Sequence, residues 1–80
     1  MNIKILFFAQ LREVFGAAEH VIDVNNGLTA GELAQRLLRR PGGLLAMTHI
    51  LYAVNENFVS PDEKLRHGDT LALMTPVAGG

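Results

Sequence analysis

The sequence predicts an α+β domain of two layers, a mixed sheet of about five strands covered by one main helix. Three observations carry the prediction. Five short apolar stretches read as strands, the first with clear period-two alternation. One segment opens with a helix-start signal and continues at helical spacing. Clusters of Gly, Asn and Pro punctuate the chain between these elements. With 80 residues there is room for one domain and not for two.

Residues 2–8 form the first expected strand. Ile3, Ile5 and Phe7 fall on one face, the core face, and Lys4, Leu6 and Phe8 on the other. Residues 10–15 place Leu11, Val14 and Phe15 at helical spacing, and Gly16 is a stop. Residues 20–24 are a second strand, ended by the turn Asn25-Asn26-Gly27. Thr29 and Glu32 then make a capping box, in which each side chain reaches the other's free backbone N–H. Leu28 and Leu33 are placed as a hydrophobic staple. Ala30, Leu33, Ala34, Leu37 and Leu38 share one side of the helix, and Arg39 and Arg40 suit its negative end. Pro41-Gly42-Gly43 ends it, and residues 44–49 are ambiguous between a helical turn and a loop.

Residues 50–54 are a strand and Asn55-Glu56-Asn57 a tight turn, since Asn tolerates left-handed dihedrals. Phe58-Val59 begins a short return strand. Pro61-Asp62 opens a turn or a single helical turn, with Asp62-Glu63 as an acidic pair at a helix start. His67-Gly68-Asp69 is a further turn. Residues 70–75 are the last strand, with Leu71 and Leu73 inward and Ala72 and Met74 outward.

Composition narrows the function. Apolar content of 49% supports a packed core. A domain this small buries only about 60–65% of its unfolded surface, which favours a carrier, adaptor or subunit over an enzyme with its own cleft. The net charge is −1 and no basic stripe exists, which argues against a nucleic-acid surface. The apolar run 5–9 is far too short to span a membrane or to form a signal-peptide core. There is no cysteine, hence no disulfide and no thiolate chemistry, and a cytoplasmic setting is compatible. His20, His49 and His67 lack ligand spacing and read as structural or surface residues, so no metal site is expected. No phosphate-binding glycine loop is present.

The chain closes on Pro76-Val77-Ala78-Gly79-Gly80, small residues directly after an apolar strand. We read residues 1–75 as the domain and 76–80 as a flexible C-terminal tail. Gly79 and Gly80 lack Cβ, so their backbone passes through narrow channels. Five extended residues reach roughly 17 Å. With no cysteine, no side-chain thiol can carry a group, and the C-terminus is a candidate attachment point.

Three stretches resemble one known family: Lys4 to Glu13, Ala53 to Val59, and Leu65 to Asp69 running through Leu71 and Leu73 to Gly80. They resemble the small, MoaD-type subunits of molybdopterin synthase, and the likeness covers nearly the whole chain. The family commonly carries two prolines and an aromatic before the tail, where this chain has Met74-Thr75-Pro76. The resemblance implies a ubiquitin-like β-grasp fold and sulfur carriage without an active site of the chain's own. A ubiquitin-activating-like adenylyltransferase would use ATP to adenylate the Gly80 carboxylate, the chain itself binding no cofactor. A sulfur donor protein would convert it to a thiocarboxylate. The large synthase subunit would take Pro76, Val77, Ala78, Gly79 and Gly80 into its active site, and the sulfur would pass to cyclic pyranopterin monophosphate for molybdenum cofactor biosynthesis. The resemblance also places Phe8, Phe58 and Met74, with Arg12 as a basic contact, at the partner interface.

Other readings share parts of this pattern. A carrier for thiazole or tRNA sulfur has the same fold and tail. A ubiquitin-like modifier would join lysines through Gly80. A plain binding domain would have an inert tail.

Overall fold

Strand β1 (Asn2–Phe7) lies inside the sheet with a partner on each side, and its alternation decides what lies on each face. The computed structural model describes residues 1–41, 43 and 49–76. After β1 come α1 (Gln10–Phe15), β2 (Glu19–Asp23), α2 (Ala30–Leu37), β3 (Leu51–Val54), β4 (Asn57–Val59) and β5 (Thr70–Met74). The spatial order is β2-β1-β5-β3-β4. β1 pairs antiparallel with β2 and parallel with β5, while β3 pairs antiparallel with both β4 and β5. The parallel β1–β5 pair requires a long crossover, and the intervening chain supplies it, α2 included.

Ile3, Ile5 and Phe7 are buried, as their spacing predicts, and join Leu71, Leu73, Tyr52 and Val54 in one core. Helix α2 closes that core with Ala30, Leu33, Ala34 and Leu37, and Leu38 follows at its end. Each fully buried Leu or Ile contributes about 1.5–3 kcal/mol. Such packing holds a helix of eight residues that would be marginal alone.

The start of α2 is fastened twice. Glu32 N–H donates to Thr29 Oγ1 at 3.2 Å and Thr29 N–H donates to Glu32 Oε1 at 3.0 Å, the expected capping box. Beyond it, Ala30 N–H donates to the Glu63 carbonyl and Gly31 N–H to the Pro61 carbonyl, both at 2.8 Å. The Pro61–Asp62 turn is therefore a backbone cap for α2. This corrects the reading of Asp62-Glu63 as an acidic helix start: no helix begins there, and carbonyls do the work at α2's positive end. Gly31 permits the approach, since a Cβ there would lie 2.9 Å from Pro61 Cβ.

The other end of α2 also differs from expectation. The helix stops at Leu37, so Arg39 and Arg40 lie past it and Arg36 is the cation of its last turn. Arg40 instead reaches α1, where its Nη1 donates to the Phe15 carbonyl at 2.8 Å. Phe15 stacks on core residue Phe7 with ring centres 4.2 Å apart. Gly16 takes φ 94° and stops α1 as predicted. Residues 44–48 of the ambiguous segment lie outside the described residues.

Boundaries shift by single residues elsewhere. β2 starts at Glu19, because Glu19 still pairs with Leu6, and ends at Asp23. β3 starts at Leu51, since Ile50 packs partly against the core instead. β5 ends at Met74.

Candidate docking face and tail

The sheet has one face under α2 and a second face without a covering element among the described residues. Registers place a row across this outer face: Leu6 on β1 opposite Ala72 on β5, Ala72 opposite Ala53 on β3, and Ala53 opposite Phe58 on β4. Beside it Leu51 stands opposite Met74, and Phe8 follows β1 with its N–H bound to the Leu73 carbonyl at 3.0 Å. Two alanines in the middle and larger side chains around them leave a hollow. The hollow is an open groove of about 440 Å³, lined by Leu6, Phe8, Ala53, Phe58, Ala72 and Met74 with Asn55, Glu56 and Thr70.

The groove's apolar walls are accessible. Phe58 is 72% exposed and Phe8 40% exposed, whereas Met74 is half-buried. Clustered apolar exposure of this kind marks interfaces. Toward β2 the same sheet face turns polar, where Lys4 Nζ pairs with Glu19 Oε1 at 2.6 Å. The apolar area is thus bounded on one side by an ion pair.

The β3–β4 turn frames the other side. Asn55 and Glu56 connect the strands with φ of 50° and 72°, a two-residue turn that matches the right-handed twist of its strands. Asn55 fixes it: its Oδ1 accepts from Thr70 N–H at 3.0 Å and its Nδ2 donates to Asp69 Oδ1 at 2.9 Å. Asp69 Oδ2 in turn accepts from Arg66 N–H at 2.8 Å. The turn, the 66–69 loop and the start of β5 are one hydrogen-bonded unit beside the groove.

Phe8, Phe58 and Met74, expected at an interface, are brought together here. Arg12 is exposed on α1 but does not line the groove. Pro76 is exposed and is the last described residue; Val77, Ala78, Gly79 and Gly80 lie outside the described residues. Sequence reasoning did not single out Leu6, Ala53 and Ala72 as site residues. Leu6 and Ala72 were legible as outward positions, but their meeting with Ala53 depends on the β3–β5 register, which no local signal gives. His67 Nδ1 accepts from Asn2 N–H at 3.0 Å and the His20 ring lies 5.0 Å from Phe15. Among the described residues no three His, Asp or Glu side chains gather as metal ligands. No described helix is long and apolar enough to cross a membrane.

A five-stranded mixed sheet in the order 2-1-5-3-4 with one main helix across one face defines a ubiquitin-like β-grasp domain. Comparison with known proteins narrows this: the chain belongs to the ThiS family, whose model matches residues 5–80. It is 36% identical over 83 aligned residues to the molybdopterin synthase sulfur carrier subunit of Chlamydomonas reinhardtii, covering 100% of both chains. Among solved structures, SAMP1 of Haloferax volcanii superposes with a TM-score of 0.81 at 28% identity, over 100% of each chain. The complex of subunits 1 and 2 of molybdopterin-converting factor from Helicobacter pylori gives a TM-score of 0.67 at 24% identity, again over 100% of each chain, and supports the fold.

Proposed function

We propose that this chain is the sulfur carrier of a molybdopterin synthase, loaded and unloaded at the Gly80 carboxyl group. The observation that carries the reading is the full-length 36% identity to a protein of that name. The apolar groove at the root of the tail supports it.

The chemistry follows from a poor electrophile. A carboxylate resists substitution, so its oxygen attacks the α-phosphorus of ATP on an adenylating partner and pyrophosphate leaves. A persulfide sulfur of the donor protein attacks the acyl carbon and AMP leaves. A thiol cleaves the resulting S–S bond, and Gly80 holds a thiocarboxylate. In the large subunit the thiocarboxylate sulfur would bond to a carbon of cyclic pyranopterin monophosphate, displacing an oxygen there. Water would then cleave the acyl–sulfur bond, leaving the sulfur on the pterin and returning the Gly80 carboxylate.

The groove's occupant in this reading is the synthase large subunit. Met74 lines the groove and Pro76 follows two residues later. Four further residues span at most about 14 Å, so a site that receives Gly80 must adjoin the groove. Ordering a five-residue tail costs on the order of 5–10 kcal/mol, and apolar burial by Phe8, Phe58 and Met74 offsets it. Arg12, exposed on α1, would add a basic contact outside the groove. In the Helicobacter pylori structure the corresponding two subunits are found in complex.

Deleting Gly80 tests the reading in cells. Loss of cofactor synthesis is expected; unchanged synthesis contradicts it. A second reading, a protein modifier, is favoured by the likeness to SAMP1, the small archaeal modifier protein 1. Peptides bearing Gly80 in isopeptide linkage to lysine would establish that reading. A carrier for thiazole or tRNA sulfur is distinguished by its partners: capture by the adenylating enzyme but never by a synthase large subunit.

A further inference from the structure

We propose that Glu56 selects the partner of the groove by meeting a cationic side chain, Arg or Lys, on the surface that covers it; this rests on the docking reading above. Both residues of the β3–β4 turn have positive φ. Gly is the preferred second residue of such a turn, because side chains there crowd the backbone. Asn55 is accounted for by its bonds to Thr70 and Asp69. Glu56, at φ 72°, has no such account. Its carboxylate takes part in no ion pair among the described residues, whose two pairs use Asp23 and Glu19.

Position gives the carboxylate a use. Glu56 is the one charged residue among those lining the groove, and Phe58 lies two residues along the same hairpin. The hairpin imposes this conformation, and non-glycine residues held in it cost stability and cluster at functional sites. A wholly apolar or acidic partner would strip water from Glu56 without replacing it, which is costly. A partner cation converts that cost into a pair, raises the association rate and rejects competing surfaces. The same apolar groove thereby becomes selective.

The test uses the full chain and, as probe, the large subunit of molybdopterin synthase from the same genome. Association rates are measured across a salt series for wild type, Glu56→Gln, Glu56→Lys, Glu56→Gly and Phe58→Ala, with thermal melts of each. We expect Glu56→Gln to slow association roughly fivefold and Glu56→Lys at least about tenfold, with the wild-type advantage shrinking as salt screens it. Glu56→Gly should melt higher than wild type yet associate more slowly, a split that a purely structural residue would not give. If all three Glu56 variants associate like wild type while Phe58→Ala is impaired, the charge assignment is wrong and the docking face stands. If wild type is not captured, or Phe58→Ala is captured equally well, the docking reading fails and takes this inference with it.

Discussion

Ala72 on β5 stands directly opposite Ala53 on β3, and this pair of methyl groups is the floor of the apolar groove. The floor is low because Leu6 and Phe58 flank it in the same cross-strand row. Shape here follows from two small residues at outward positions.

Filling the floor should therefore block docking without unfolding the domain. Ala72→Phe points away from the α2-covered core, so its thermal midpoint should stay within about 4 °C of wild type, a change below roughly 1 kcal/mol. Titration calorimetry against the large subunit should show binding weakened by about tenfold or more. Phe8→Ala removes a wall and should weaken binding while leaving folding nearly intact. Strong unfolding of Phe8→Ala would place that ring in the core instead.

Gly31→Ala inverts a general expectation. Replacing a helical Gly by Ala ordinarily stabilises by about 0.5–1 kcal/mol. Here the new methyl would lie 2.9 Å from Pro61 Cβ and 3.1 Å from the Pro61 carbonyl oxygen. The loop must back away, loosening the two bonds from Ala30 and Gly31 to Glu63 and Pro61. We expect a net loss of about 1 kcal/mol or more in urea unfolding.

Arg40 joins the end of α2 to α1. Its guanidinium carbon lies 4.6 Å from the centre of the Phe15 ring, and Nη1 caps the Phe15 carbonyl. Arg40→Ala should cost about 1–2 kcal/mol. Arg40→Lys should recover part of this, since Lys keeps the charge but loses the planar fork. Equal stability of all three proteins in urea would refute the contact's importance.

Glu32 gives the domain an acid-sensitive cap. The Thr29 backbone N–H, foremost, and the Thr29 hydroxyl hold its carboxyl below the ordinary 4.5, with Arg36 assisting. A carboxylate whose folded pKa is depressed stabilises fully above the unfolded value and loses that contribution as pH falls through the folded one. The cap's contribution should thus be intact above pH 4.5 and fade below it. Glu32→Gln keeps a capping acceptor without titrating. Its unfolding free energy should fall less steeply than wild type on acidification through that range; parallel curves would contradict the assignment.

Much of the fold was legible because short-range rules agreed with one another. The alternation Ile3, Ile5, Phe7 named the core face, and Thr29 with Glu32 named the helix start, both as observed. Arg40 was misread because helix-dipole logic knows nothing of Phe15, twenty-five residues earlier in sequence and adjacent in space. Asp62-Glu63 was misread for a like reason: the carbonyls of Pro61 and Glu63 serve a helix start that precedes them by some thirty residues. Of the groove, Phe8, Phe58 and Met74 were legible as large outward residues. Its floor was not, since Ala53 and Ala72 become neighbours only through the β3–β5 register.

Intact-mass spectrometry of the chain, expressed beside its adenylating partner and sulfur donor, tests the central claim most directly. The account predicts a species heavier by one sulfur in place of one oxygen, carried on Gly80 and lost on incubation with the large subunit and its pterin substrate. A chain that keeps its unmodified mass under those conditions, with the partner demonstrably active, would contradict it.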